Sequence, residues 1–552
     1  MLSSFLKKYR TNLLTLGLLV FLVFVFFYPT IHFGFFSDDY HFLYITSRQS
    51  NVLNYFLTNN IGGDIGGTYG PMLNIIFTAE YKLFGFHYFF YHIFGLVIYA
   101  LTAFFVFLFA KNISNNKMVA WVSALLFIFL QNHTLTISWV AIQPHLLATF
   151  FFVLFLYFYH RFIISSKNLF YILALFSIVF SLFIKEIAIT FPALVVLIDL
   201  FFSQKESIKG TILRVSKRLS VFVLVFILYL LIRYGVVGYV VGYYGSEHLS
   251  LNFLPKLKMF VDIVLSMFVY SPYRQTFKEI LFKYPYILGF LFFFITLVTW
   301  FVSKKYKDKV LWFSFLSFFI TVLPFLNVNF SFYSDEGERY AYLVSVFFVI
   351  FLAQFFHLLF SKLKISTILY FSFVGLFVGV SLFEYFHKED YWVKSALIRD
   401  NMLNEFAEKL DKSKNNYFIF LAMPDNFSGA QLTRNGVLDM FKLENNFFGM
   451  SGERVTIYTL PTKFDYGQKI LDFSMNDDFS LSMEAKVKEH VFTGEIYYFS
   501  YYGKFSLENY NKVVSIGESV VANLSKERIE KSPYDIQLVY FDGQRLNFVA
   551  LN

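Results

Sequence analysis

Cysteine is absent from the 552 residues, which removes thiolate catalysis, cysteine-ligated metals and disulfides together and leaves the redox compartment undecided. Charge is scarce as well: 15% of the residues are charged, against 57% hydrophobic and a mean hydropathy of +0.55. A water-soluble fold of that composition would expose far too much apolar surface, so the chain reads as a polytopic membrane protein. There is no His-Glu-x-x-His, and with no cysteine the zinc hydrolases drop out. The net charge of +9 does not point to nucleic acid, because the basic residues sit in short clusters between apolar runs. The glycine-rich stretch Ile61–Pro71 lacks the spacing of a P-loop or dinucleotide fingerprint and reads as a flexible substrate-side loop.

What the chain has in quantity is apolar sequence. Lys7, Lys8 and Arg10 precede a run from about Leu13 to Ile31 with no small-residue cleavage site behind it. This predicts an uncleaved first span, near the ~20 residues required, with its N-terminus in the cytoplasm. Further spans are predicted near 88–110, 118–131, 135–159, 169–184, 187–203, 219–242, 285–303, 310–330, 339–360 and 366–386. With the first, that makes about eleven transmembrane helices. The cytoplasmic loops of this layout collect Lys111 and Lys117, Arg161 and Lys167, the group Lys205–Arg218, the group Lys304–Lys309, and Lys362 and Lys364. That follows the positive-inside rule if 243–284 is one outward segment, with Phe260–Tyr270 an interfacial or re-entrant helix.

The outward face then gathers the loop 34–87 with Asp38, Asp39 and Asp64, the turn Lys185-Glu186, the segment 243–284, and Ser331–Arg339 with Asp335, Glu336 and Glu338. After residue 386 the composition changes, which divides the chain into a transmembrane module, 1–386, and a C-terminal soluble α/β domain, 387–552, on the outward side. His387-Lys388-Glu389-Asp390 is expected to end the last span. An amphipathic helix over Val393–Lys412, a buried strand Tyr417–Ala422 and a hairpin of Asp535–Tyr540 with Leu546–Leu551 around Asp542-Gly543 are predicted there. No repeat of 20–50 residues is present, and acceptor binding and simple capping both fit this domain.

Asp38 and Asp39 stand directly behind the first span, where two adjacent carboxylates are costly and rarely accidental. Transfer of a sugar from a phosphate-linked donor needs a base to take the acceptor's proton, and desolvation at a membrane edge raises a carboxylate's pKa toward a useful range. The second carboxylate can orient the acceptor, hold a metal or stabilise positive charge on the sugar ring. Both also fit solvated loop residues at a helix end. Tyr40 and His41 continue the loop as candidate substrate contacts, His41 equally as hydrogen-bonded structure. Lys185 suits a phosphate as a point charge, with Glu186 either its ion-pair partner or a substrate contact. Arg339 suits a bidentate grip on a phosphate or diphosphate leaving group, or an interfacial Arg paired with Glu338. Pro144, in Gln143-Pro144-His145, is expected to kink the fourth span near its outer end.

With these residues in view the chain resembles the GT-C superfamily of polyprenyl-phosphate-sugar-dependent glycosyltransferases. The nearest pattern is that of the protein O-mannosyltransferases and the transmembrane tetratricopeptide-repeat mannosyltransferases. Four stretches carry the resemblance: Phe36-Ser37-Asp38-Asp39; Tyr69-Gly70-Pro71-Met72 through Phe84-Gly85-Phe86-His87 and Tyr91-His92; Lys185-Glu186-Ile187-Ala188 with Pro192 and Asp199; and Glu338-Arg339-Tyr340-Ala341-Tyr342-Leu343. The resemblance implies an outward active site, a polyprenyl-phosphate sugar donor, inversion at the sugar, and a protein or glycan acceptor. It also implies a catalytic role for the acidic pair and substrate contacts from Tyr69, His87, Glu186, Glu338 and Tyr340. The resemblance fixes no cofactor, and a divalent cation is compatible. Gly70 stands where the family pattern has Arg, Gln143-Pro144-His145 replaces an Arg-containing segment, and no tetratricopeptide repeats follow, which leaves acceptor and sugar open. The expected location is a prokaryotic cell membrane. The competing readings are a transporter or flippase of lipid-linked sugars, which should show paired broken helices, and a glycan polymerase or ligase.

Overall fold

The computed structural model describes residues 2–48, 51–58, 69–204, 206–240, 252–327, 336–362, 367–454, 467–486, 490–491, 499–500, 503–504, 513–514 and 519–551. The chain folds as two compact units. One comprises Met1–His32, Thr46–Phe332 and Glu336–His387, and the other contains Phe33–Ile45 together with Lys388–Asn552. The acidic turn therefore belongs with the C-terminal unit, a grouping that the linear division at 386 does not anticipate.

The helices run α1 (Leu2–Phe27), α2 (Asp38–Arg48), α3 (Pro71–Phe84), α4 (Tyr88–Ser114), α5 (Lys117–Ile128), α6 (Thr134–Ser138), α7 (Gln143–Ser165) and α8 (Asn168–Ile184). They continue with α9 (Phe191–Phe202), α10 (Ile208–Val237), α11 (Phe253–Phe268), α12 (Ser271–Lys283), α13 (Pro285–Tyr306), α14 (Lys309–Val322), α15 (Ala341–Lys362) and α16 (Thr367–Lys409). Proline opens α3, α7, α9, α12 and α13, where its missing N–H costs nothing. Pro144 thus starts α7 and does not kink a longer span.

Seven helices among the described residues are long and apolar enough to cross a membrane, or eight if the bent pair Lys117–Ile128 and Gln131–Ser138, at 49°, is one span. The expected eleven is not reached because several segments are short. The 17 residues of α8 rise only about 26 Å against a ~30 Å hydrocarbon layer, and α9 has 12 residues. In α10 and α13 only 17% of the most apolar stretch is buried within the protein, so their remaining apolar surface suits lipid and not water.

The break after α5 exposes backbone groups that must be satisfied inside the protein. Here the buried Gln131 donates through Nε2 to the carbonyls of Ser266 (3.1 Å) and Val269 (2.9 Å), closing the end of α11. With 16 residues, α11 is not among the spanning helices, and it turns at Val269-Tyr270 into α12. Lys278 of α12 pairs with Asp262 of α11 at 2.7 Å.

In the C-terminal unit a mixed sheet is ordered β13-β12-β1-β4. Here β1 (Asn416–Phe420) runs parallel to both β4 and β12, and the hairpin of β12 and β13 is antiparallel. Between β1 and β4 (Ser451–Arg454) lie the small pair β2 (Asn426–Phe427) and β3 (Ala430–Gln431), followed by α17 (Val437–Glu444). A second, antiparallel sheet holds β5 (Leu471–Met475), β6 (Ser480–Ala485), β8 (Phe499–Ser500), β9 (Gly503–Lys504) and β11 (Ser519–Leu524). Beside it, β7 (His490–Val491) pairs with β10 (Val513–Val514). The chain closes with α18 (Lys526–Glu530), β12 (Asp535–Phe541) and β13 (Leu546–Ala550), the last two joined through Gly543 at φ +100°.

No break in the helix marks His387–Asp390, where the last span is expected to end. From Val380 to Lys409 there is no Gly or Pro, and α16 continues through the charges as one helix of 43 residues. Its C-terminal half buries Trp392, Ser395, Ile398, Arg399, Met402 and Phe406. Leu397, by contrast, is 49% exposed. The Phe406 ring packs on Phe418, Phe441 and Phe548.

Candidate functional site

In the C-terminal unit the acidic turn is built by local backbone constraints. Gly34 has φ +81°, and a Cβ there would collide with the Arg399 guanidinium. That guanidinium is buried, donates to the carbonyls of Phe33 (2.6 Å) and Phe35 (2.9 Å), and stacks 4.7 Å from the Phe36 ring. Ser37 sits at φ +46°, uncommon for a residue with a side chain, and its N–H donates to the Leu432 carbonyl at 2.9 Å. The turn is thereby anchored to Leu432–Gly436.

The two aspartates take different positions. Asp39 is 1% exposed, and its Oδ2 accepts the Phe36 N–H at 2.8 Å, a reach back over the helix start like that of a capping box. Asp38 is half-buried in the first turn of α2 and accepts from Asn435 Nδ2 at 2.6 Å. Asn435 also donates its own N–H to the Ser37 hydroxyl at 3.0 Å.

Tyr40 and His41 are anchors in this structure more than open contacts. Tyr40 is 1% exposed and donates to Glu444 at 2.8 Å, and burial pushes its phenol pKa up. Burial likewise raises the Glu444 carboxyl above its ordinary range, opposed by the Tyr40 hydrogen bond. His41 Nδ1 lies 3.1 Å from Asp439.

In the membrane unit the basic candidates come together. Lys185 ends α8 in an extended conformation, and the five-residue turn Glu186–Thr190 leads into α9. Desolvation lowers the Lys185 pKa, with Glu186 opposing and the Arg339 charge reinforcing the shift. Arg339 lies in the turn Glu336–Tyr340, its Nη2 3.1 Å from the Tyr340 hydroxyl and its guanidinium carbon 5.0 Å from the Tyr340 ring. The His145 ring meets Tyr340 edge-on at 5.6 Å and feels the charges of both Lys185 and Arg339. Lys185, Glu186, Arg339 and Tyr340 therefore form one cluster, with His145 as its floor.

Glu338 faces elsewhere. It is fully buried in an ion pair with Arg274. Arg274 also reaches Glu384 at 3.3 Å and the Val269 carbonyl at 2.8 Å. Tyr69 is buried as well, its hydroxyl donating to the Phe56 carbonyl at 3.0 Å and its ring packed on Phe183 and Tyr229. His87 is exposed at the start of α4, and among the described residues no hydrogen bond or ion pair ties it to the cluster. Asp64, Asp335 and most of the glycine-rich stretch lie outside the described residues.

Gly70 now has a physical reason. A Cβ at that position would stand 2.6 Å from the Ile184 carbonyl, one residue before Lys185, so no side chain fits without displacing the end of α8. Glu80 of α3 is a further buried acid. It accepts from Gln143 Nε2 at 3.3 Å, its other oxygen has no hydrogen-bond partner among the described residues, and burial pushes its pKa up to about 8. An apolar groove of about 680 Å³ opens among α11, α13, α14 and α15, and every lining side chain except Thr299 is apolar. Among the described residues no three His, Asp or Glu side chains are grouped to hold a metal ion.

Sequence reasoning missed Arg274, Glu384, Glu80 and Asn435. A charged residue four positions beyond the apolar run at Phe260–Tyr270 was a usable signal for Arg274. Asn435 carried none.

No protein-family model matches the chain, and no curated protein matches it. Among solved structures it is similar to the Archaeoglobus fulgidus oligosaccharyltransferase in its apo form, with 11% identity and a TM-score of 0.43 over 81% of this chain and 65% of that one. It is similar also to AglB of Archaeoglobus fulgidus in complex with an inhibitory peptide and a dolichol-phosphate, at 13% identity and TM-score 0.40, covering 75% and 62%. A third is the same organism's oligosaccharyltransferase with Zn and sulfate, at 12% identity and TM-score 0.39, covering 79% and 62%. The chain spans less than two thirds of the length of these structures.

Proposed function

We propose that this chain is an integral membrane glycosyltransferase that moves a sugar from a polyprenyl-phosphate donor to an acceptor hydroxyl, on protein or glycan, on the side of the membrane away from the cytoplasm. The observation that carries the reading is the gathering of Lys185 and Arg339, distant in sequence, into one part-buried cationic cluster. Two neighbouring cations beside Glu186 in a dehydrated setting make a site that suits a further anion, and a sugar phosphate is such an anion. The apolar groove supports a lipid-borne donor.

In the proposed reaction the acceptor oxygen attacks the anomeric carbon as the bond from that carbon to the phosphate oxygen breaks. The phosphate leaves with the bonding electrons, its charge met by Arg339 and Lys185, and the acceptor proton passes to Asp38. Phosphate departs as a stable anion, so no general acid is required. Asp38 is assigned as base because Asp39 spends a carboxylate oxygen on the Phe36 N–H in a nearly sealed position. The transporter reading called for paired broken helices, and one bent pair is found among the described residues.

The test is transfer of radiolabelled sugar from a panel of polyprenyl-phosphate sugars by the purified full chain. Asp38→Asn should lower turnover by about 10²–10⁴-fold with insertion unchanged, and Asp39→Asn by much less. Full activity in both single variants and in the double variant would sink the proposal.

A further inference from the structure

We infer that Arg274 is a positioning residue for the phosphate-binding turn, setting Arg339 through its neighbour Glu338. This rests on the reading of Arg339 as a phosphate ligand. Arg274, Glu338 and Glu384 are each fully buried and come from three separate places in the chain: α12, the turn Glu336–Tyr340, and α16. All three guanidinium nitrogens are engaged. Nη1 holds Glu338, Nη2 reaches Glu384 (3.3 Å), and Nε donates to the Val269 carbonyl (2.8 Å). Glu384 in turn accepts the Ser271 N–H at 3.2 Å, at the N-terminus of α12, where a carboxylate is favoured by the helix dipole.

Arg274 therefore stands on a fixed footing, tied to the end of α11 and to α16. The remaining arm of its planar fork grips Glu338 in a direction that a lysine cannot reproduce. On its other side the turn is held by His145 and Phe325 packing on Tyr340. Residue 339 sits between these two clamps. The Arg274 clamp fixes the backbone immediately before it, so loosening that clamp moves the guanidinium without touching it.

The test uses the full chain in lipid nanodiscs and equilibrium binding of radiolabelled farnesyl phosphate, with melting temperature followed in parallel. Arg339→Gln tests the underlying reading and should weaken binding at least roughly tenfold. Arg274→Lys and Glu338→Gln should each weaken it by a similar factor, and their combination should be no worse than either alone, because both cut the same link. Glu384→Gln leaves the Arg274–Glu338 pair in place and should keep binding within about twofold. If Arg274→Lys does not fold, the isosteric Glu338→Gln decides the matter. Loss of binding in Arg339→Gln with wild-type binding in Arg274→Lys and Glu338→Gln, whatever their melting temperatures, overturns the inference alone. Wild-type binding in Arg339→Gln overturns the phosphate reading and the inference with it.

Discussion

Glu80→Gln should make the protein more stable, and only above a definite pH. In the unfolded chain a glutamate titrates near 4.5, whereas burial holds Glu80 up to about 8 in the fold, the Gln143 hydrogen bond lowering it only in part. Between those values the folded protein keeps a proton that the unfolded chain has released, so stability falls as pH rises through this window. A displacement from 4.5 to about 8 corresponds to an upper figure of about 5 kcal/mol by linkage. Glutamine keeps the shape and an oxygen acceptor for Gln143 but carries no titrating proton. Thermal midpoints of the two proteins in detergent should nearly coincide at about pH 5 and separate progressively toward about pH 8, glutamine higher. Parallel curves across that range, or a wild type that gains stability with rising pH relative to the variant, would refute the burial argument.

Two further outcomes bear on the acidic turn. Gly436 has φ +70°, and an alanine Cβ would lie 2.9 Å from the Ser37 carbonyl. Gly436→Ala should therefore cost about 1–2 kcal/mol from the left-handed backbone alone and shift the turn, lowering sugar transfer. Gly375→Ala, whose Cβ meets nothing within 4 Å, should leave transfer unchanged. Tyr40→Phe removes the donor to Glu444 from a buried phenol and should destabilise the C-terminal unit by about 0.5–1.5 kcal/mol; equal melting temperatures would contradict this.

The membrane character was legible in composition because hydropathy acts locally, and long apolar runs such as Tyr88–Ser114 can do little else in water. The strand at 416–420 and the hairpin around Gly543 were legible for the same reason, since alternation and a left-handed glycine are short-range signals. Lys185 stood out as a charge interrupting apolar sequence, and Arg339 as one opening a predicted span. Their neighbourhood was reached only through a topology count, and their contact with His145 not at all. What stayed hidden depends on partners far along the chain. Glu338 was offered as a substrate contact or as a partner of Arg339, and Arg274, which it holds, is 64 positions upstream. Tyr40 and His41 were placed toward substrate because nothing near them in sequence announces Glu444 or Asp439. The continuity of the helix through 387–390 stayed hidden because the charges there mark a change of polarity, whereas a helix is stopped by lost backbone bonding.

The bond between Asn435 and Asp38 joins residues 397 positions apart, and it has a consequence for how the protein comes into being. During synthesis Asp38 leaves the ribosome among the earliest residues, and nearly the whole membrane portion follows before Asn435 is made. At about 5–20 residues per second, the carboxylate waits tens of seconds for the amide that orients it. Throughout that interval the newborn chain holds its spans but not its finished acidic turn. Under the proposed function, a product cut short before Leu432–Gly436 should settle in the bilayer without transfer activity.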